Sequence, residues 1–284
     1  MKFFRLIILF VLIFFLWGCE EKKETSTKGS LIVYVDESIF RMVKIQVDTF
    51  SVLYKEAKIE LIPASARGGI TKIVNNEAEI FISSREFNPE EKIVSKKNDL
   101  EVKTLKFCYD GIAVITSFET YLDKINFNEV KNLLEGKYES AIAVIPERNS
   151  GIYAYLQNEI MKSERFSNVE IALNEQNVVD IVKQNKNKIG FVGYNILNDS
   201  SGVKILNVGL REQSGIKDVY LEPHPGYFVQ NLYPLSRLIR IYIHEPNLGL
   251  ASGFASFLTG NEGQRIVLSS KLGPATVPVR IRSN

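Results

Sequence analysis

Four short segments of the chain are rich in groups that bind an oxyanion: Asp36-Glu37-Ser38, Ser65-Ala66-Arg67-Gly68-Gly69, Ser83-Ser84-Arg85 and Arg148-Asn149-Ser150-Gly151. Each stands at the end of an apolar run and before polar or helical sequence. Its backbone N–H groups are then those left free at a helix start, where the helix dipole also favours negative charge. Glycine lets a ligand approach the backbone, and the planar forks of Arg85 and Arg148 suit an oxyanion. Any one segment alone reads as an N-cap or a tight turn, and Arg67 alone as a solvated charge. Together, at successive strand ends, they describe a shared anion site, with Arg148 as its leading residue.

Catalysis finds no comparable support. The chain has no Gly-x-Ser-x-Gly elbow, no phosphate-binding Walker loop and no His-x-Glu metal signature. Asp110 and Glu147 read as surface and turn carboxylates rather than as an acid/base pair. Two cysteines and two distant histidines, His224 and His244, offer no metal-site spacing. No enzyme, metal or cofactor is expected, and Cys108, between Phe107 and Tyr109, reads as a small buried apolar residue.

The elements around these segments alternate between strand and helix. Strands are expected at Leu31–Val35, Ile59–Ile62, Ile80–Ile82, Phe107–Thr116, Ala141–Ile145 and Ile189–Val192, with a further strand closing over Tyr242–Pro246. Helical periods fall at Ile39–Tyr54, Gly69–Asn75, Asn128–Leu134, Gly151–Met161, Asn177–Gln184, Gly249–Thr259 and from Gly263. The βαβαβ opening implies a largely parallel sheet covered on both faces, and residues 199–225 read as irregular or antiparallel. In such sheets ligands bind beyond the carboxyl ends of the strands, where the four segments lie.

The N-terminus is an export signal: Lys2 and Arg5, an apolar core from Leu6 to Trp17, then Gly18-Cys19. The core is shorter than the roughly 20 residues of a membrane span. Leu16-Trp17-Gly18-Cys19 resembles the bacterial lipobox, in which the cysteine is lipidated and becomes the new N-terminus. Glu20 to Lys28 reads as a solvated tether. The whole chain of 284 residues carries a formal charge of +2; without residues 1–18 it has 33 basic and 33 acidic side chains. A nucleic-acid partner recognised by bulk charge is thereby excluded.

The mature chain resembles the phosphate-binding proteins that serve as extracytoplasmic receptors of phosphate ABC importers (PstS-like), from about Ser30 to Ile281. The resemblance rests on Tyr109–Ile115, Phe127–Gly136, Pro146–Tyr153, Ile189–Tyr194, Tyr233–Arg237 and Gly263–Pro274, taken in that order and spacing. It implies an α/β, two-lobed periplasmic-binding-protein (Venus-flytrap) fold, type II-like. The expected division is a signal peptide over 1–18, a lipid-anchored tether over 19–29, lobe I from 30–108 plus 226–284, and lobe II from 109–225. Crossovers near Phe107–Tyr109 and Pro225–Phe228 would act as hinges.

Carried over residue by residue, the resemblance places ligand contacts on Asp36, Glu37, Ser38, Ala66, Arg67, Ser83 and Ser84 in lobe I and on Arg148, Ser150, Gly151 and Ile152 in lobe II. Tyr233–Arg237 is read as structural. Ile152 stands where the family has threonine and Ala66 where many members have serine; Asp36 and Glu37 put carboxylates where the family places its aspartate elsewhere. The expected function is capture of inorganic phosphate by a monomeric lipoprotein. It would be held to the membrane through Cys19, outside the cytoplasm, and would deliver to an ABC permease. The alternatives are the same fold with a pocket for another small solute, or an envelope sensor or scaffold.

Overall fold

The computed structural model describes residues 24–162, 164–211, 215, 218–245 and 248–276. The signal segment and Cys19 lie outside them. The first half of the chain runs β1 (Gly29–Asp36), a 3-10 turn at Glu37–Ile39, α1 (Phe40–Leu53), β2 (Ala57–Ala64), α2 (Ala66–Val74), β3 (Ile80–Ser83), α3 (Pro89–Lys97) and the long strand β4 (Lys103–Thr116). It continues through β5 (Lys124–Ile125), α4 (Phe127–Leu134), β6 (Ile142–Pro146) and α5 (Gly151–Tyr155), which passes into a π-helical turn over Leu156–Met161. Then come β7 (Val169–Ala172), α6 (Glu175–Lys183), β8 (Lys188–Gly193), β9 (Lys204–Gly209), β10 (Tyr220–Leu221), α7 (Pro225–Val229), β11 (Ser236–Ile243), α8 (Leu250–Thr259), α9 (Asn261–Ser269) and β12 (Gly273–Pro274).

The main sheet path is β2-β1-β3-β11-β4-β8-β6-β7. Two parallel groups, β1 with β2 and β3, and β6 with β7 and β8, are joined by antiparallel β11 and β4. Strand β4 serves both: Lys103–Gly111 pairs with β11, and Ile112–Thr116 pairs with β8. This gives the two-lobed α/β architecture, with one strand shared between the lobes.

Each lobe has its own core. In the first, Val33, Val35, Ile82, Phe107, Cys108 and Ile241 on the sheet pack against Phe50 and Phe254 on helices, all buried. Cys108 is a buried apolar neighbour, and burial raises its thiol well above the ordinary range. In the second, Ile112, Val114, Ile145 and Phe191 pack against Leu133, Ile152 and Leu156. Phe228, Tyr233 and Leu235 join this second cluster, Pro225–Phe228 lies within helix α7, and β11 begins in the first lobe's sheet at Ser236.

Local chemistry explains where the elements start. Ser65 accepts from the Gly68 N–H and Ser150 from the Tyr153 N–H, so α2 begins three residues before the Gly69 expected from periodicity. Helix α3, absent from the sequence expectations, is held by a capping box between Asn88 and Glu91 with Pro89 at its first turn. Strand β11 begins at Ser236, well before the expected Tyr242. The tether is also shorter than expected. Thr25 pairs with Lys28, Lys28 meets Glu56, and the Ser26 backbone packs on Gly253, where a Cβ would lie 1.8 Å from the Ser26 carbonyl oxygen.

Candidate functional site

The crossing of β4 and β11 sets the centre of the site. Antiparallel register places Arg237 directly opposite Asp110. The guanidinium donates through Nε (2.9 Å) and Nη2 (2.6 Å) to one Asp110 oxygen, and the Gly111 N–H (2.8 Å) donates to the other. The two side chains are 2% and 0% exposed. Burial works against the charge on Arg237, but Asp110, Asp36 and Glu175 outweigh it and raise its pKa. Asp110 therefore departs from the sequence reading, as a buried counter-ion and not a surface carboxylate, while Arg237, in the segment read as structural, forms the buried pair at the lobe junction.

From this pair the network runs into lobe I. Arg237 Nη2 also donates to Ser38 Oγ (3.0 Å), and Ser38 donates through its hydroxyl (2.6 Å) and backbone N–H (3.0 Å) to Asp36. Ser84 donates to the other Asp36 oxygen (2.5 Å). Asp36, 2% exposed, thus gathers both serine hydroxyls. Arg237 Nη1 is buried without a hydrogen-bond partner. A buried donor without a partner is costly, and a guanidinium can meet an anion through that free edge.

Lobe II closes on this face. An added Cβ at Gly151 would lie 1.6 Å from Ser84 Oγ and 3.0 Å from an Asp36 oxygen. The Arg67 N–H reaches the Asn149 carbonyl (3.5 Å), and Asn195 donates to the Ser38 carbonyl (2.9 Å). Glu175, at the first turn of α6, accepts from the Gly193 N–H (2.6 Å) with its carboxylate turned inward. Burial pushes its pKa up to about 7; Arg237 and the Gly193 N–H oppose this, while Asp110 and Asp36 add to it.

The remaining sequence candidates divide. Asp36, Ser38, Ser84 and Gly151 meet at the lobe junction. Ser150 caps α5, and its hydroxyl proton is left to donate. Ile152 buries its side chain in the second core, so only its backbone faces the junction. Ala66 is buried in α2, and Ser83 bonds within its own turn to the Arg85 backbone. Glu37 is raised by partial burial and then by Asp36 and Glu147, the latter from the opposing lobe. The Arg85 fork, expected to be available to an anion, closes on Glu91 through two 2.7 Å bonds. Arg148 and Arg67 are exposed and line a cleft of about 1230 Å³ that also reaches Ser84 and Arg237. Arg237, rather than Arg148, is therefore the guanidinium at the buried centre.

Two α/β lobes that share a strand, with polar groups gathered at their junction, define a two-lobed periplasmic-binding-protein fold. The chain belongs to the PBP superfamily domain family, whose model matches residues 20–262. Similar solved structures include a protein assigned as a phosphate ABC transporter substrate-binding protein, with bound phosphate, from Clostridium perfringens. It is 22% identical, with a TM-score of 0.72, over 87% of this chain and 99% of that one. An ABC-type phosphate transport receptor from Vibrio cholerae is 14% identical, with a TM-score of 0.66, over 87% and 100%. The substrate-binding domain assigned to a molybdenum ABC transporter from Clostridium difficile is 15% identical, with a TM-score of 0.55, over 86% and 98%. No curated protein sequence matches the chain.

The contact at Gly151 gives a test of closure. Gly151→Ala should hold the lobes apart, because the added methyl has no room beside Ser84, while neither lobe core is touched. Small-angle scattering is expected to show a larger radius of gyration with a melting temperature within a few degrees of the parent. An unchanged radius would mean that the two lobes do not meet there.

Glu175 gives the pH dependence. Its folded-state pKa of about 7 lies above the ordinary 4.5, so the native chain keeps a proton that the unfolded chain releases. This contribution to stability is fully present below about pH 4.5 and is lost as pH rises through 7, in total up to about 3 kcal/mol. Glu175→Gln should remove most of that decline, and urea melts at pH 5 and pH 8 will measure it. A parent whose stability does not fall between these pH values would contradict the assignment.

Proposed function

We propose that the protein is an extracytoplasmic solute-binding lipoprotein that captures inorganic phosphate and delivers it to the permease of an ABC importer. The observation that supports this most is the pairing of Arg237, with its free buried Nη1, and Asp36 at one lobe junction. The guanidinium offers a charge-assisted donor, the Ser150 hydroxyl and the Gly151 and Ile152 backbone offer neutral donors, and Asp36 offers an acceptor if the phosphate proton takes the place of the Ser38 or Ser84 hydroxyl, which then turns to the ion. Hydrogen phosphate has both negative oxygens and a proton to give. Binding between the lobes would require them to part around the Ser84–Gly151 contact and close on the ion, with β4 and the Pro234–Arg237 crossing taking up the motion. Arg67 and Arg148 lie at the mouth of the same cleft.

Residues 1–18 and Cys19 support export and lipid anchoring. No helix among the described residues is long and apolar enough to cross a membrane. The lost hydroxyls at Ala66 and Ile152 favour a second reading, a different small anion in the same fold.

Calorimetric titration with phosphate and sulfate tests the proposal. Phosphate should bind and sulfate should not, since sulfate has no proton to place on Asp36 and leaves two charges facing each other. Asp36→Asn should narrow the difference by at least tenfold, because an amide can donate to either ion. Equal binding of both ions by the parent, or of neither, would overturn it.

A further inference from the structure

We infer that the ligand extends beyond a single phosphate ion: the cleft outside Arg237 takes the organic part of a phosphate monoester that carries a second anionic group. This rests on the phosphate reading of the inner junction and assigns the outer cleft. At about 1230 Å³ the cleft exceeds the roughly 300–1,000 Å³ that hold drug-sized ligands, whereas orthophosphate has five heavy atoms.

Its charges are selectively matched. Of the arginines lining it, Arg85 is neutralised by Glu91, Arg240 by Glu86 and Arg237 by Asp110. Arg67, Arg148 and Arg211 form no ion pair among the described residues, and among the lining carboxylates only Glu159 is left to face them. Arg67, which acts on Glu91 at longer range, comes from lobe I, and Arg148 from lobe II. The Arg67 N–H meets the Asn149 carbonyl, so the two cationic residues reach one cleft from opposite lobes. An anionic group held there would be attracted by both.

The path inward is continuous. Arg211 donates to Tyr155 Oη (3.2 Å) and to the Pro234 carbonyl (2.8 Å), beside the crossing where Arg237 begins its network. Tyr155, which Arg211 contacts directly, and Arg237 line the same cleft, and burial pushes Tyr155 up to about 12 while both arginines act in the opposite direction. The π-helical turn adds the Gln157 and Asn158 amides to the wall. Such turns occur frequently at functional sites.

The test is competitive calorimetry of the full chain in detergent with orthophosphate, glycerol 3-phosphate and 3-phosphoglycerate. The last, a monoester bearing a carboxylate, should bind at least tenfold tighter than orthophosphate and tighter than glycerol 3-phosphate. In the double variant Arg67→Gln/Arg148→Gln the ratio of 3-phosphoglycerate to orthophosphate affinity should fall to about one. Orthophosphate binding as tightly as both esters overturns this inference and leaves the phosphate reading intact. A preference that survives in the double variant overturns the role of the two arginines. Binding of none of the three overturns both readings.

Discussion

The structure turns on one ion pair buried where two strands cross. Arg237 and Asp110 face each other because β11 and β4 run antiparallel in a register that sets them opposite, and the crossing is also where the chain passes between lobes. Burial makes the pair costly to form and costlier to break: removing one partner of such a pair destabilises by about 3–5 kcal/mol, since the other charge is left unmatched. Much else follows from this placement. Arg237 orients Ser38, Ser38 and Ser84 converge on Asp36, and Asp36 lies against the start of α5 in the other lobe. Asp36, Asp110 and Glu175 all act on one guanidinium, and Glu175 keeps its proton up to about pH 7 chiefly because it is buried, with Asp110 and Asp36 adding to the shift.

The local parts of this design are legible in the sequence, and the long-range parts are not. Apolar runs and helical periods located the strands of both parallel groups except β7, whose Val169–Ala172 is short and only partly buried, and Asp36, Ser38, Ser84 and Gly151 stood out because hydroxyls, acids and glycine at strand ends have a local meaning. Arg237 gave no such signal. Its role depends on a register with a strand far away in sequence, and Tyr233-Pro234-Leu235 before it looks like a turn. Asp110 was obscured in the same way, since a charged residue within an apolar strand acquires its partner only after the sheet forms. Helix α3 shows a different limit. It buries only Ser95, so hydrophobic periodicity is silent there, while the Asn88-Pro89-Glu90-Glu91 start held the available signal.

The arginines divide by the same logic. Sequence reading treated Arg85 and Arg148 alike as forks for an anion. Folding gives the first to Glu91 and leaves the second, with Arg67, at a cleft mouth formed by both lobes. A solute-binding protein needs ligand contacts divided between lobes, so that binding energy favours the closed state over the open one. The contacts proposed for phosphate divide in this way: Asp36, Ser38 and Ser84 on one side, Ser150, Gly151 and Ile152 on the other, and Arg237 at the crossing between them.

The most direct measurement of this account is a crystal structure of the chain grown with phosphate. The account predicts an ion between the lobes with one oxygen within about 3 Å of Arg237 Nη1, a second reached by the Ser38 or Ser84 hydroxyl, and its protonated oxygen against Asp36. Phosphate bound only at Arg148 and Arg67, with Arg237 contacting nothing but Asp110 and Ser38, would contradict it.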